Sequence, residues 1–267
     1  MNVLSLFDWI SCGRVALERA GIQVDSYFSS EIDKYAVQVS KKNYPDIIHI
    51  GSVLDVKWED YKNIDLLIGG SPCQSFSIAG NQEWFDWKSW LFYEYLRILK
   101  EVKPKYFLLE NVKMKKEFQD VISKELWCEP IEINSSLVSA QSRKRLYWTN
   151  IPWIQQPKDK WIELQSILSS GFTDRKKARA LLESDSRPLK DKKRMWHRYK
   201  DTWFTTIVYE NSIDDIENIR YMNQEELEKC QTLPLWYTSI LDRNKAASVI
   251  GNWWTVDVIS HIFSYIK

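Results

Sequence analysis

The chain has 267 residues, of which 44% are hydrophobic and 27% are charged, and its formal net charge is +1. These values are typical of a folded globular protein and exclude an intrinsically disordered or collagen-like chain. No apolar run reaches the roughly 18 residues that a membrane-spanning helix needs. No basic stretch precedes the apolar start MNVLSLF. We therefore expect no signal peptide and no membrane partner, and we predict a cytoplasmic protein.

The cysteines argue against two further classes of protein. Cys12, Cys73, Cys128 and Cys230 are scattered, without a Cys-x-x-Cys pair or a neighbouring histidine cluster. This spacing does not suit a zinc site or a disulfide framework, and it fits a reducing compartment. We expect no bound metal.

The first 150 residues alternate short apolar runs with amphipathic stretches. The predicted strands are residues 3–7, 26–30, 65–69 and 106–110, and the predicted helices are residues 13–20, 33–43 and 88–101. Repeated strand–helix units of this length predict an α/β, Rossmann-like, mostly parallel sheet with helices on both faces. In such sheets ligands bind at the carboxyl ends of the strands.

Residues capable of chemistry follow three of these strands. Asp8 follows the first strand, Cys73 follows the strand 65–69, and Glu110 and Asn111 end the strand 106–110. A lone cysteine is most often a small buried residue, and a lone glutamate is most often a surface group. Their joint placement at one edge of a parallel sheet favours a catalytic pair.

The pattern changes after residue 150. Residues 151–219 form a basic, weakly periodic stretch, and its part 175–200 holds eleven basic and three acidic residues. Such a run can contact phosphates or can be a solvated surface, and the sequence leaves both interpretations open. Regular patterning returns with a helix at 223–230, which has a capping-box start, and with a last helix at 256–266. We predict three segments: a sheet domain (1–150), a basic insertion (151–219) and a C-terminal part that completes the sheet domain (220–267).

Eight motifs resemble those of one family, in that family's order and over nearly the whole chain. They are LFDWISCG (6–13), SEID (30–33), GSV (51–53), GGSPCQSFS (69–77), LLENV (108–112), QSRKR (141–145), NQEELEKCQTLP (223–234) and GNWWTVDV (251–258). The family is that of the cytosine-C5 DNA methyltransferases, in its bacterial and phage branches. The resemblance implies S-adenosylmethionine as cofactor and double-stranded DNA as partner. It also implies a monomer in a bacterial cell or phage-infected host, serving restriction-modification, an orphan role or phage self-protection.

The resemblance also implies a mechanism. Carbon 5 of cytosine is a poor nucleophile, so a thiolate first adds to carbon 6, and we assign this role to Cys73. Glu110 is the candidate to protonate or hydrogen-bond the ring nitrogen. Arg145 and Arg143 are candidates to bind the base oxygen or to order the loop that contains Cys73 and Gln74. The target base must leave the duplex stack, so base flipping is expected.

The same resemblance implies two further sets of residues. The expected cofactor-binding residues are Phe7, Trp9, Ile10, Glu31, Ile32, Ser52, Val53, Pro72, Leu91, Asn252 and Trp253. The expected DNA-binding residues are Gln141, Ser75, Lys193, Arg194 and Arg198. The insertion 151–219 lies where the family carries its target-recognition region.

The chain is rich in tryptophan and poor in glycine, with 14 tryptophans and 8 glycines. Trp9, Trp87, Trp90 and Trp253 stand where the family pattern has glycine or another small residue. One hypothesis is divergence that blocks the cofactor pocket. The other is a reassigned opal codon, read as glycine in the source organism. If twelve of the tryptophans were glycine, the glycine count would rise from 8 to 20, about the usual 7%.

Three other functions fit the sequence less well. A catalytically silent DNA-binding protein on the same scaffold would explain Trp9 and Trp253, but it would not explain the retained Cys73, Glu110 and Arg145. An RNA cytosine-C5 methyltransferase is disfavoured because no Cys-Phe-Thr segment follows QSRKR. A dinucleotide oxidoreductase is disfavoured because no Gly-x-Gly-x-x-Gly follows the first strand.

Overall fold

The computed structural model describes residues 1–61, 63–71, 90–201 and 205–267. The chain divides into two compact units. The first contains Met1–Ile133, Lys144–Gln156 and Ile259–Lys267, and the second contains Asn134–Arg143 and Pro157–Val258. These bounds differ from the three predicted segments, because the second unit begins before residue 151 and contains most of 220–267. The functional roles predicted for the three segments remain predictions.

The strands and helices have the following bounds. The strands are β1 Asn2–Leu6, β2 Ser26–Ser30, β3 Ile48–His49, β4 Leu66–Gly69, β5 Tyr106–Val112, β6 Ile131–Asn134, β7 Gln141–Ser142, β8 Lys144–Thr149, β9 Ala178–Arg179, β10 Ile207–Tyr209 and β11 Ile219–Tyr221. The helices are α1 Cys12–Arg19, α2 Lys34–Asn43, α3 Trp90–Val102, α4 Lys116–Leu126, α5 Lys192–Lys200, α6 Gln224–Cys230, α7 Arg243–Gly251 and α8 Val256–Phe263.

A seven-stranded sheet forms the first unit, in the order β3-β2-β1-β4-β5-β8-β6. Strands β1 to β5 are parallel, and β8 pairs with β5 in the antiparallel direction. The α/β, Rossmann-like prediction is confirmed. Leu6 lies between Ser30 and Gly69 in the register, so β1, β2 and β4 end at the same edge of the sheet.

The local sequence explains why these elements begin and end where they do. The central strands β1 and β4 are almost entirely buried and mostly apolar, although β1 begins with Asn2 and contains the buried Ser5. Asp33 begins α2 because its carboxylate accepts hydrogen bonds from the backbone N–H groups of Tyr35 and Ala36. Trp148 of β8 is fully buried, and its indole N–H donates to the Ser123 hydroxyl at 3.0 Å. The first unit therefore has an ordinary, well-packed core.

The second unit is built from short elements. Two two-stranded sheets, β7-β9 and β10-β11, accompany α5, α6 and α7. A small core packs α5 against β10 and β11, and it consists of Met195, Tyr199, Ile207, Tyr209 and Ile219. The capping box predicted at Asn223 is confirmed, since Asn223 and Glu226 exchange side-chain-to-backbone hydrogen bonds at the start of α6.

The described residues contain neither of two further kinds of feature. Within the described ranges, no helix is long and apolar enough to cross a membrane. Among the same residues, no group of three or more histidine, cysteine, aspartate or glutamate side chains is placed to hold a metal ion.

Candidate active site

A cavity of about 530 Å³ lies at the carboxyl ends of β1, β2 and β3. Its lining residues are Phe7, Trp9, Ser30, Glu31, Ile32, Asp33, Gly51, Ser52, Val53, Leu54 and Leu91. The volume is in the range of small-molecule and cofactor sites, and the position obeys the carboxyl-end rule for parallel sheets. Seven of the predicted cofactor residues line this cavity: Phe7, Trp9, Glu31, Ile32, Ser52, Val53 and Leu91.

Glu31 is the acidic group of this cavity. Its Oε1 accepts the backbone N–H groups of Ile32 at 2.8 Å and Asp33 at 2.7 Å, and its Oε2 accepts the N–H of Trp9 at 2.8 Å. Burial raises the pKa of Glu31 above its ordinary value, and these three hydrogen bonds oppose that rise. The carboxylate is therefore fixed in direction, and Oε2, which accepts only one of the three hydrogen bonds, keeps capacity to accept a ligand hydroxyl.

The loop after β1 is held by the buried carboxylate of Asp8. Asp8 accepts hydrogen bonds from the hydroxyls of Ser5 at 2.5 Å, Ser11 at 2.6 Å and Tyr27 at 2.7 Å. This network gives Asp8 a structural role and leaves Trp9 at the cavity. Ile10 is fully buried and does not line the cavity, so its role as a cofactor residue stays a prediction.

Ser52 occupies the position at which the family motif has aspartate. Its hydroxyl accepts the backbone N–H of Leu54 at 3.2 Å and so caps the short 3-10 helix Val53–Asp55. Gly51 precedes it with φ +77°, in the left-handed region that favours glycine. The turn that shapes this wall of the cavity is thus retained without the aspartate.

A second group of functional side chains lies at the ends of β5 and β8. Arg145 Nε is 3.0 Å from Glu110 Oε1, and the two side chains are 15% and 11% exposed. In the antiparallel register Glu110 is opposite Tyr147, and Arg145 is opposite Val112. Glu110 and Arg145 are therefore diagonal neighbours on one face of the sheet, which allows long side chains to meet.

Asn111 connects this group to β4. Its amide Nδ2 donates to the Ser71 hydroxyl at 3.3 Å, and its Oδ1 accepts the backbone N–H of Val112 at 2.8 Å. Asn111 and Ser71 are both buried. Ser71 precedes Cys73 by two residues in the sequence. The predicted residues Pro72, Cys73, Gln74 and Ser75, and also Trp87, lie outside the described residues.

Gln141 and Arg143 belong to the second unit and are both buried. The Gln141 amide donates to Cys230 O at 3.2 Å and Gln231 Oε1 at 3.0 Å, and its Oε1 accepts the backbone N–H of Leu181 at 2.7 Å. The guanidinium of Arg143 donates to Leu181 O at 3.1 Å. Both side chains thus hold the interior of the second unit. Their assignments to DNA and to catalysis stay predictions.

The predicted phosphate-binding residues lie on α5, also in the second unit. Lys193 and Arg194 are exposed, whereas Met195 and Tyr199 of the same helix are buried in the small core. Arg198 is half-buried and lowers the pKa of Asp185 through its charge, although burial has the larger effect and raises that pKa. The helix therefore presents part of its basic surface to solvent.

Asn252 and Trp253 follow α7 in the second unit. Asn252 is exposed, whereas Trp253 is buried and stacks on Trp254 with ring centroids 4.2 Å apart. The indole N–H of Trp253 has no hydrogen-bond partner among the described residues. The assignment of Asn252 and Trp253 to the cofactor site stays a prediction.

Four cavity residues are not among the predicted cofactor-binding residues, namely Ser30, Asp33, Gly51 and Leu54. Each adjoins a residue that was predicted, so the carboxyl-end rule could have included them. Ser30 is the last residue of β2, and its hydroxyl donates to Gly51 O at 2.9 Å. That bond ties two walls of the cavity together.

Comparison with known proteins identifies relatives of this chain. Residues 1–126 match a family described as C-5 cytosine-specific DNA methylase. An orphan methyltransferase, M.SPRI of Bacillus phage SPR, is 41% identical over 116 residues, which are 42% of this chain and 26% of that protein. Another orphan methyltransferase, M.Rho11sI of Bacillus phage rho11s, is 34% identical over 182 residues, which are 61% of this chain and 35% of that protein. The chain thus aligns with between 26% and 35% of the length of these relatives.

Solved structures show the same fold at low sequence identity. The Entamoeba histolytica methyltransferase EhMeth has a TM-score of 0.77 and 17% identity, over 99% of this chain and 97% of that one. The DNMT2 of Spodoptera frugiperda has a TM-score of 0.70 and 17% identity, over 99% of this chain and 98% of that one. At this identity the similarity establishes the architecture alone.

Proposed function

We propose that this chain, which belongs to the C-5 cytosine-specific DNA methylase family, transfers a methyl group from S-adenosylmethionine to carbon 5 of cytosine in double-stranded DNA. The observation that carries the proposal is one sheet edge with two features. The cavity of about 530 Å³ lies at the ends of β1 to β3, and the Glu110–Arg145 pair lies at the end of β5. Since only β4 separates β1 from β5, the strand that borders the cavity and the strand that carries Glu110 are roughly 10 Å apart.

The donor set of the cavity fits S-adenosylmethionine. Glu31 offers a fixed carboxylate for the ribose hydroxyls, and Ile32, Val53 and Leu54 offer apolar surface for the adenine. Ile32 and Leu54 are 78% and 59% exposed, so their apolar surface is accessible to a ligand in the cavity. When bound, the cofactor supplies an electrophilic methyl group on its sulfonium.

The residues of the chain make cytosine reactive toward that methyl group. The Cys73 thiolate adds to carbon 6, and the displaced electron pair enters the ring. Glu110 holds a proton at the ring nitrogen and so stabilises the added charge. Carbon 5 takes the methyl group, its proton leaves to a base, and the bond between Cys73 and carbon 6 breaks to regenerate the thiolate.

Arg145 and Asn111 are positioning residues for this chemistry. Arg145 fixes the direction of the Glu110 carboxylate through the 3.0 Å contact. Asn111 binds Ser71, at the start of the segment that contains Cys73. Ser71 and Glu110 thereby belong to adjacent strands or their immediate continuation, and these strands pair in register. Gln74 and Ser75 adjoin Cys73 and are proposed to contact the flipped nucleotide, and Arg143 to support them.

Binding of DNA is proposed for the second unit, with the insertion as its target-recognition region. Lys193 and Arg194 present charge to solvent on α5 and would contact phosphates, with Arg198 beside them. Gln141, the first residue of the motif QSRKR, is proposed to contribute to DNA binding as well. We propose that the enzyme works as a monomer in the cytoplasm of a bacterial cell or phage-infected host, where DNA and the methyl donor occur together.

The proposal is tested by transfer of a labelled methyl group from S-adenosylmethionine to unmethylated duplex DNA of mixed sequence. Cys73→Ser should lower the rate at least about 1,000-fold, and Glu110→Gln about 100-fold or more. Cys128→Ser is the matched control, since this half-buried thiol lies outside the site, and it should retain activity. The same series is run with Trp9→Gly, so that the cofactor loop does not limit the result.

Each alternative function gives a different outcome. Label in RNA but not in DNA would identify an RNA methyltransferase. DNA binding without label in either background would identify a catalytically silent DNA-binding protein. Equal activity of Cys73→Ser and Cys128→Ser would contradict the covalent mechanism.

A further inference from the structure

Several tryptophans occupy a backbone conformation that suits glycine. Eleven of the described non-glycine residues have positive φ, and five of them are tryptophan. They are Trp9 (φ 49°), Trp127 (φ 56°), Trp153 (φ 64°), Trp161 (φ 54°) and Trp236 (φ 63°). Only a few per cent of non-glycine residues adopt positive φ, and for a bulky residue it is an outlier. Unlike asparagine or aspartate, tryptophan gains no local hydrogen bond there.

Trp127 shows the conflict at a helix end. It follows the last residue of α4, and its N–H and that of Cys128 both donate to Ser123 O. A left-handed residue with this bonding is the usual way for a helix to end, and glycine is the usual residue at that place. The side chain of Trp127 is 91% exposed. Packing of the indole therefore does not offset the cost of the conformation.

Trp153 shows the same conflict in a turn. It follows Pro152, and the two form the centre of a turn after β8. Proline followed by a residue of positive φ is the signature of a type II turn, in which glycine is favoured at the second of the two central positions. Trp153 is 80% exposed, Trp161 is 81% exposed and Trp236 is 65% exposed. These large apolar side chains lie on the surface, and the backbone conformation of their residues is strained for any residue with a bulky side chain.

Trp9 has the same conformation beside the cofactor cavity. Its backbone N–H donates to Glu31 Oε2 at 2.8 Å, and its side chain lines the cavity. The backbone of Trp9 donates a hydrogen bond that orients Glu31, whereas its indole occupies part of the cavity. A residue without a side chain would keep the hydrogen bond and enlarge the cavity.

Other tryptophans differ both in exposure and in backbone conformation. Trp148 and Trp254 are fully buried and have ordinary backbone conformations. Trp148 also uses its indole N–H. The chain therefore contains at least two classes: tryptophans that the core requires, and exposed or cavity-lining tryptophans on a backbone typical of glycine.

We propose that positions 9, 127, 153, 161 and 236 are glycine in the protein that the source organism makes, because its ribosomes read the opal codon UGA as glycine. The amino-acid composition, with 14 tryptophans and 8 glycines, is the first indication of such a reassignment. The positive φ angles identify individual positions, and this criterion is independent of the composition. The inference concerns the covalent structure of the chain and does not rest on the proposed function.

The gene and the native protein test the assignment directly. The five codons should be UGA, whereas those for Trp148 and Trp254 should be UGG. Peptides from the native cells should show the mass of glycine at the five positions and of tryptophan at 148 and 254. UGG at the five positions, or tryptophan in those native peptides, would overturn the proposal.

Thermal unfolding tests the physical argument separately. In a background with glycine at the other four positions, each position is compared as glycine and as alanine, without cofactor. Both changes remove the indole, so their difference reports the left-handed backbone. The Trp→Gly protein should melt about 2 °C or more above the Trp→Ala protein at each position. At the control Trp148, glycine should melt no higher than alanine. An alanine advantage at most of the five positions would overturn the proposal, whatever the methylation assay shows.

Discussion

The ion pair between Arg145 and Glu110 is predicted to contribute to stability as well as to catalysis. The pair joins atoms 3.0 Å apart, and its side chains are only 15% and 11% exposed. At an effective dielectric constant of about 20, two charges at this distance attract by about 5 kcal/mol. Much of that attraction offsets desolvation, and loss of one partner from a fully buried pair costs roughly 3–5 kcal/mol. Because some solvent reaches this pair, we expect Arg145→Met to cost about 2–3 kcal/mol.

Urea unfolding without cofactor or DNA measures this cost. The midpoint should fall at unchanged slope, and the melting temperature should fall by roughly 5–10 °C. The double variant Glu110→Gln with Arg145→Met should recover about 1–2 kcal/mol, because no carboxylate is then left without its cation. Lys113→Met is the control, since Lys113 lies 2.9 Å from Glu132 but both side chains are exposed. It should cost less than about 1 kcal/mol. Equal losses for Arg145→Met and Lys113→Met, or no recovery in the double variant, would refute the reasoning.

Three further predictions concern the cofactor, the DNA and the core. Burial raises the pKa of Glu31, so its carboxylate form, which accepts ribose hydroxyls, is lost as pH falls through a value above 4.5. Calorimetry should therefore show that the affinity for S-adenosylmethionine declines in that pH range. Glu31→Gln should bind the cofactor weakly, and its affinity should depend less on pH. The same pH dependence in Glu31→Gln as in the unchanged protein would contradict this prediction. Lys193→Gln and Arg194→Gln should each lower the slope of log affinity against log salt by about 1 for duplex DNA, whereas Lys41→Gln, exposed on α2, should not change it. Trp148→Ala should lower the free energy of unfolding by about 3–5 kcal/mol because it empties a fully buried site. Ser123→Ala should lower it by about 1 kcal/mol through the lost hydrogen bond. A loss below about 1 kcal/mol for Trp148→Ala in urea unfolding would be inconsistent with its burial.

The parallel sheet was predictable because its central strands β4 and β5 are largely buried and begin as apolar runs. The alternation of short strands with amphipathic stretches also located β2, which coincides with the predicted strand 26–30. The rule that ligands bind at carboxyl ends then directed attention to Glu110, and the family resemblance added Glu31. Both lie at that edge, one in the cavity and one in the ion pair with Arg145.

Other features depend on contacts that no local pattern encodes. Arg145 meets Glu110 only because β8 runs antiparallel to β5 in one register. Gln141 has a polar side chain, yet its amide is fully buried among backbone and side-chain partners of the second unit. Helix α5 was not predicted, since only Met195 and Tyr199 mark its buried face within a strongly basic stretch.

The most direct test of the central claim is a covalent trap. Transfer to carbon 5 requires its proton to leave, so duplex DNA with 5-fluorocytosine should hold the enzyme on carbon 6 after methyl transfer. With S-adenosylmethionine present, the account predicts a denaturation-resistant complex, with Cys73 as the modified residue in peptide mass spectrometry. Cys128→Ser should form this complex and Cys73→Ser should not. A complex that forms equally with Cys73→Ser, or methylation of ordinary DNA without any trapped complex, would contradict the assigned chemistry.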